Sequence, residues 1–539
     1  MQRFTQEAIN ALVPVINNTP IRNLLNIVDP PSGPGATVLR LPQHPVSMVY
    51  SADGTRAFVL TAPPGSGGLI GPYYPPSFGV VTEINTKNQT VVGVPVIVEG
   101  TPNGIYYNSP DPIVVSEDGT RAFVTTSSGV TVLDTAHCTV VGTPISVGGS
   151  FTLVPGTTKG YLIGSGSDST GQATTTITPI DGSDGTVAGD ALVLEGVPAG
   201  AIAYSPDGKR AYFTTAAGAT AVTIVDTVGD TTVGQPMVLD GYPIGGLVLS
   251  PDGTRASQTT VLGDDTIVTV IDPVGGAIVG QPVAIQGTPV LESPTGSDGI
   301  GVMFSANGTR INRIVQRDTS TVLTVIDASD ATIVGIPVVL PGKRYLSTTA
   351  VVPDPTGSAV YVLADNEVPY GVPATSVAAV VDSSNSTLVG TPVTLQGSPV
   401  SDNPLAVSPD GTHVYQTTVL SSVTLPYTAF VYTVSVESTL VGTPVTITDI
   451  GNYGTLPPVV KPDGSHVYQA TQNVRYKPSV TVIDAATGST VKSPFTRPAL
   501  AQGLTFAPGG AHAYALTGIY GGWPTPFSTH LAVFNASKI

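Results

Sequence analysis

The sequence has a single cysteine, Cys138, so no internal disulfide can form among its 539 residues. Charge is scarce: Asp, Glu, Lys and Arg make up 11% of the chain, and 21 Lys and Arg against 37 acids leave a net charge of −16. With so few cations there is no basic stripe, which argues against nucleic acid and anionic membrane as partners. No apolar run nears the roughly 20 residues that a membrane-spanning helix needs. A secretory signal is missing too: Met1 to Asn26 carries Gln2, Arg3 and Glu7 near its start and lacks a continuous apolar core. Tryptophan occurs once, as Trp523. There is no Gly-x-Ser-x-Gly elbow, no phosphate-binding loop ending in Lys-Ser/Thr, and no His-Glu-x-x-His. No catalytic residue, cofactor or metal ligand is therefore assigned.

What abounds is Gly (61) and Pro (49), with Val, Thr and Ser around them. Val and Thr favour strands, while Gly and Pro make turns, so the composition is that of a turn-rich all-β protein. Ile202 to Gly241 displays the unit. It holds four β-type runs: Ile202–Ser205, Arg210–Thr215, Ala221–Asp226 and Thr232–Leu239. Ser-Pro-Asp-Gly joins the first two as a tight turn, with Pro206 presetting φ and Gly208 free to take φ > 0. Asp226 ends the third run, where its carboxylate can cap the next turn. The fourth contains Gly-Gln-Pro, and a proline cannot donate to a ladder, so that strand belongs at a sheet edge. The expected unit is a four-stranded antiparallel meander with its last strand outermost.

The unit repeats. First-to-second-strand turns fall at Asp53, Asp118, Pro155-Gly156, Asp207, Asp252, Asn307, Asp354 to Gly357, Asp410, Asp463 and Pro508 to Gly510. From position 53 to 509 is 456 residues in nine steps, about 51 per unit, close to a four-stranded propeller blade. A second spacing is stricter. The residue ending the third strand precedes a fixed point in the fourth by eight positions, as in Asn85/Gly93, Asp134/Gly142, Asp226/Gly234, Asp272/Gly280, Asp327/Gly335 and Asp382/Gly390. The eighth unit alone slips, at Ser435/Gly442.

At the start, residues 4–17 have helix-like apolar spacing that Pro14 ends, and 1–23 reads as a lead-in from a longer polypeptide. Leu24–Asp29 matches a third strand and Ala36–Leu41 a fourth, whereas the last unit stops after Leu531–Asn535 without a fourth strand. A ring closed by its termini requires that split, and closure removes exposed sheet edges. The expected fold is thus one all-β propeller over 24–539, with about ten four-stranded blades closed by the N-terminal strand beside the last blade. Two five-bladed rings are the alternative.

The repeat resembles the YVTN family of β-propellers, the YncE-like and surface-layer-type repeats. The matching residues are the Ser-Pro-Asp-Gly turns followed by Arg210 to Phe213, His413 to Tyr415 and His466 to Tyr468, then strands such as Leu323–Asp327 and Val480–Asp484. The resemblance covers roughly 24–535 and implies an exported or cell-surface propeller without a catalytic motif. Its departure is the number of units, since ten exceeds the usual four to eight blades.

Candidate chemistry is thin. His413, His466 and His512 take the post-turn position that Arg56, Arg121, Arg210, Arg255 and Arg310 take elsewhere, and equivalent sites on adjacent blades are too far apart for one zinc. They read as polar residues flanking a turn. Cys138 reads as a small turn residue. The acids of Asp181 to Gly185 and of Gly263 to Thr266 lack the alternation of a calcium loop. Glu292, Asp298, Lys343 and Arg344 sit on long loops at a channel mouth and could serve a lactonase-like hydrolase, or form only a solvated rim.

Aromatics give the stronger signal. The second-to-third-strand loop of the first unit carries Tyr73, Tyr74 and Phe78, and that of the last unit Tyr520, Trp523 and Phe527. A ring makes these two loops neighbours, with Tyr106 and Tyr107 beside them. Aromatic side chains are enriched in recognition patches and stack on sugars. The expected function is non-catalytic binding or scaffolding, with a carbohydrate or protein ligand on this face and further domains on the same polypeptide.

Overall fold

The computed structural model describes residues 36–41, 44–62, 78–102, 112–289, 302–342, 350–366, 374–400, 405–420, 426–473, 478–496, 500–506, 510, 512–519 and 528–535. The helix read at 4–17 and the strand at 24–29 lie outside them. Every regular element that is described is a β-strand. No helix among these residues is long and apolar enough to cross a membrane.

The strands form nine antiparallel sheets in chain order. Most are single four-strand meanders, in which the first or fourth strand is sometimes broken in two. The largest sheet holds two meanders in series, with second strands His413–Leu420 and His466–Asn473 and a shared strand, Val445–Thr455, between them. One sheet takes its outer strand from the other end of the chain: Ala36–Leu41 runs antiparallel beside Ser528–Asn535, with Ala36 opposite Phe534 and Leu41 opposite Thr529.

The unit at 197–239 follows the sequence reading with two corrections. The first strand, read as Ile202–Ser205, is split into Val197–Pro198 and Ala203–Tyr204, both beside Arg210–Ala216. Arg210–Ala216 and Thr220–Asp226 pair throughout, Arg210 opposite Asp226. The fourth strand is not continuous from Thr232 to Leu239 but splits into Thr231–Thr232 and Met237–Leu239. Gly234 turns left-handed at φ 70° and Pro236 has no N–H, so the ladder opens between them. Elsewhere the same point is a bulge: Ala277–Gln286 remains one strand, but its register slips between Val268 and Val270 of its partner. In both sheets the proline strand is outermost.

Second and third strands are buried on both faces, which is why they read as nearly continuous apolar runs. Arg56–Ala62 is buried at every residue after Arg56. Successive sheets pack face to face: Val268 and Val270 meet Ile311, Val315, Val322 and Ile326 of the next sheet. The opposite face of that sheet, with Ile314 and Leu323, packs on Val360 and Val362 of the one after. First strands of consecutive sheets lie side by side, as Ala203–Tyr204 does with Val248–Leu249, and that strand with Val302–Phe304. His44–Tyr50 lies against Ile113–Val115 and also against His512–Ile519. A succession of four-stranded meanders stacked through their inner strands is propeller architecture.

Candidate functional site

Because each sheet is a meander, its connections divide between two ends. The turns after first and third strands gather at one end, and the loops after second and fourth strands at the other.

The turn end repeats one pattern at Ser51, Ser116, Ser205, Ser250, Ser305 and Ser408. In the Ser205 to Gly208 turn, the Ser205 hydroxyl donates to Asp207 Oδ1 at 2.6 Å and accepts from the Arg210 N–H at 3.0 Å, while Lys209 N–H donates to Asp207 at 3.1 Å. Gly208, at φ 67°, closes the turn with an N–H bond to Ser205 O. These bonds favour the carboxylate, so the turn aspartates have lowered pKa values: hydrogen bonds from Ser408 and Thr412 bring Asp410 down to about 2. The third-to-fourth turn uses the same chemistry, with Asp272 Oδ1 accepting from the Val274 and Gly275 N–H groups at 2.9 and 3.0 Å. Four residues after the strand-ending Asp or Asn the chain turns left-handed, at Gln89 (φ 60°), Cys138 (φ 50°), Asp230 (φ 51°) and Ala331 (φ 61°). Cys138 is buried there, and burial pushes its thiol up to about 12, which disfavours the thiolate at neutral pH. Asp181 and Asp184 likewise cap the N–H groups of Ser183 and Thr186, which gives them a turn role.

The post-turn cations do more than flank a turn. Each reaches the third-to-fourth turn of the next sheet and donates to its backbone carbonyls. Arg121 Nε bonds Gly182 O at 2.8 Å, Lys159 Nζ bonds Thr227 O at 2.6 Å, Arg210 Nη1 bonds Val274 O at 2.7 Å, Arg255 Nε bonds Ala328 O at 3.0 Å, and Arg310 Nε bonds Ser383 O at 3.2 Å. Arg56 makes the same reach to Thr135 O while ion-pairing with Glu83 at 2.7 Å. Desolvation nevertheless outweighs that pairing and raises the Glu83 pKa. Lys159 also pairs with Asp230, which accepts from Tyr161 as well, each at 2.7 Å. Further along, the imidazoles of His413 and His466 bond the neighbouring hydroxyls of Thr412 and Ser465, each at 2.7 Å, within their own turns. Tyrosines make comparable bonds: Tyr415 OH donates to Ala485 O and Tyr212 OH, beside Arg210, to Pro273 O, each at 3.1 Å, while Tyr361 OH donates to Gly411 O in the first-to-second-strand turn of the next sheet at 2.9 Å.

The loop end is irregular. Of the residues read as the binding face, Phe78 is described, half-buried at the start of Phe78–Asn85 opposite Glu99. Tyr73, Tyr74, Tyr106, Tyr107, Tyr520, Trp523 and Phe527 lie outside the described residues, as do Glu292, Asp298, Lys343 and Arg344. The roots of the aromatic loops are described. Residues 63–77 leave from Arg56–Ala62 and return into Phe78–Asn85; residues 520–527 join His512–Ile519 to Ser528–Asn535. The two root sheets touch through His44–Tyr50 and His512–Ile519, and residues 103–111 enter Ile113–Val115 on the other side of His44–Tyr50. Among the described residues, no group of three His, Cys, Asp or Glu is arranged to hold a metal ion.

No family model matches the sequence, and no curated protein does. Similar solved structures include a eukaryotic initiation factor, with 13% identity over 77% of this chain and 94% of that one at a TM-score of 0.49. The Dos1 propeller is 11% identical over 78% of this chain and 90% of its own, at 0.42. The β-propeller domain of Myceliophteria thermophila Cps50 (Swd1) is 13% identical over 60% and 95%, at 0.31. Likeness of this degree says nothing of what the present chain binds.

Proposed function

We propose that the chain is a single ten-bladed β-propeller over 24–539 and acts as a binding or scaffold module of an exported or cell-surface protein. Its ligand, a glycan or a protein segment, is taken on the loop end by Tyr73, Tyr74, Phe78, Tyr106, Tyr107, Tyr520, Trp523 and Phe527. One observation carries this reading. The aromatic-rich loops are rooted on sheets that touch one another, although some 450 positions separate them in sequence. The fold needs only short connections at these points, since Thr220–Asp226 follows Arg210–Ala216 after three residues, 217–219. Loop length beyond that minimum is available for recognition. The test replaces Tyr74 and Trp523 by Ala and follows retention on cell-envelope material and on a glycan panel. Lost retention with unchanged melting is the expected result; unchanged retention on every material the parent binds would overturn the proposal.

Ring closure has its own support. Ala36–Leu41 pairs with Ser528–Asn535, and Leu41 is buried against Ala57, Val59 and Ile84 of the first sheet. Deletion through Leu41 is expected to lower the melting temperature sharply, whereas deletion through Gly35 leaves the strand pair in place. Equal melting of the two truncations would refute closure.

A further inference from the structure

Arg313 is the largest fully buried side chain among the described residues, and its Nε and Nη2 have no hydrogen-bond partner. A guanidinium stays charged at neutral pH, and a buried charge without a counter-charge is strongly unfavourable. In most repeats this position is apolar, as at Phe213 and Val362, and in three it is Gln, of which Gln416 has no partner and the other two are bonded. Gln258 and Gln469 stand three residues after Arg255 and His466, as Arg313 stands three after Arg310. Gln258 Oε1 accepts from the Thr214 hydroxyl of the preceding sheet at 2.8 Å, and Gln469 Oε1 from that of Thr417. Thr259 is the counterpart of Thr214 and Thr417 for Arg313, four residues after Arg255. Substituting Arg for Gln removes the acceptor and leaves donors only. Thr259 Oγ1 is buried and unpartnered, as are Ser257 Oγ and Thr324 Oγ1.

All four side chains belong to the same interface. Arg313 lies between Ile311 and Val315, which pack on the preceding sheet, and Thr324 between Val322 and Ile326, which do the same. Thr324 is the register partner of Arg313. Ser257 and Thr259 alternate with Ala256 and Gln258, which face the sheet before, and so they face Arg313. The apolar side chains around them are Val268, Val270, Val283, Ile285, Val302 and Phe304, and the buried hydroxyl of Thr266 on the same face is already bonded to Gly287 O at 2.8 Å.

We propose that this interface holds a small monovalent inorganic anion of the halide class, bound by the Arg313 guanidinium and the hydroxyls of Ser257, Thr259 and Thr324. One cation and three neutral donors call for a single negative charge that accepts from every side, and a spherical ion satisfies all of them at once. A carboxylate ligand would share the charge but differ in shape, so acetate is the comparison ion.

The test combines crystallography and melting. Crystals of the full chain grown in sodium bromide are expected to give an anomalous peak about 3.3 Å from Arg313 Nε or Nη2, within reach of a charge-assisted hydrogen bond to the larger ion. In solution, the melting temperature is expected to rise with chloride at constant ionic strength, with gluconate as the balancing ion. Arg313→Met is expected to lose that slope, and Thr259→Val, which leaves the charge in place, to weaken it should the first variant not fold. A slope with acetate but not chloride overturns the halide assignment. Equal chloride slopes in parent and variants, or no anomalous peak at Arg313, overturn the site.

Discussion

The two ends of the sheets are made from one sequence by opposite rules. At the turn end the chain repeats a short vocabulary: a Ser hydroxyl on an Asp, a left-handed Gly, and a cation or tyrosine reaching a carbonyl of the next sheet. Successive turns stand in file there, so that a methyl added at Gly253 would fall 2.4 Å from Pro206 of the preceding turn, and one at Gly510 would fall 3.1 Å from Pro462. At the loop end a comparable turn glycine, Gly218 at φ 81°, has nothing within 4 Å of the position a methyl would take. The turn end is shaped by contacts between sheets, whereas the second-to-third-strand loop at Gly218 meets none; the fourth-to-first connections at that same loop end do press on the next sheet, as Gly241 does on Val261.

The largest effect that distinguishes the ends is steric. Gly253→Val places a β-branched residue at φ 68° and against Pro206, so it combines backbone strain with overlap. A loss of about 3 kcal/mol is expected in urea unfolding. Gly218→Ala carries only the left-handed cost of about 1 kcal/mol. Equal losses would remove the distinction. Next comes the latch. Arg255→Met keeps the aliphatic stem but leaves the buried side of Ala328 O without its donor, for which about 1–2 kcal/mol is expected. His413→Ala removes a bond to the adjacent Thr412 and a loose ring contact with Tyr415, both within its own sheet, and should cost less than about 0.5 kcal/mol.

Acid sharpens the comparison further. Hydrogen bonds from Ser and Thr hold the turn aspartates Asp53, Asp118, Asp252 and Asp410 below their ordinary pKa. A depressed carboxylate contributes stability in full above its unfolded value, and that contribution disappears as pH falls through the folded value. For Asp410 this window runs from 3.8 down to about 2. The urea midpoint should therefore drop between pH 5 and about 2.5, and Asp410→Asn should remove part of the drop. A midpoint flat across that range would show that the turn carboxylates contribute nothing.

How much of this the sequence disclosed follows from where each signal is carried. Ser205 to Gly208 is local, with every partner within five residues, and the turn and its strands are legible from the string alone. The outermost place of the proline strand is legible for the same reason, because Pro236 excludes ladder bonding by itself. The latch is not. Arg255 bonds a carbonyl 73 residues ahead, and a carbonyl has no letter in a sequence, so Arg and His at one repeat position looked equivalent. Arg313 was missed although a signal existed: Arg310 to Arg317 reads RINRIVQR, with an Arg where the preceding repeat has Gln258 and the following one Val362. In a strand buried on both faces that Arg is out of place among apolar neighbours. Of the candidate binding face, only the roots of the loops can be compared with expectation, because their tips lie outside the described residues.

The smallest stability effect is expected where the functional effect is greatest. Tyr74 and Trp523 belong to connections longer than their strands require, and the strands that root them are held elsewhere. Arg56–Ala62 pairs with Phe78–Asn85 from Arg56 opposite Asn85 to Thr61 opposite Val80, and His512–Ile519 pairs with Ser528–Asn535 over its whole length. Neither ladder needs the intervening tip to set its register. Tyr74→Ala with Trp523→Ala should thus move the melting temperature less than Gly218→Ala does, while a surface that relies on aromatic contact loses its ligand. Calorimetry of the parent and the double variant, beside retention on the same glycan and envelope materials, separates the outcomes. A melting loss as large as that of Arg255→Met would make the aromatics part of the fold, and the loop end would no longer be the place where sequence is free to serve recognition.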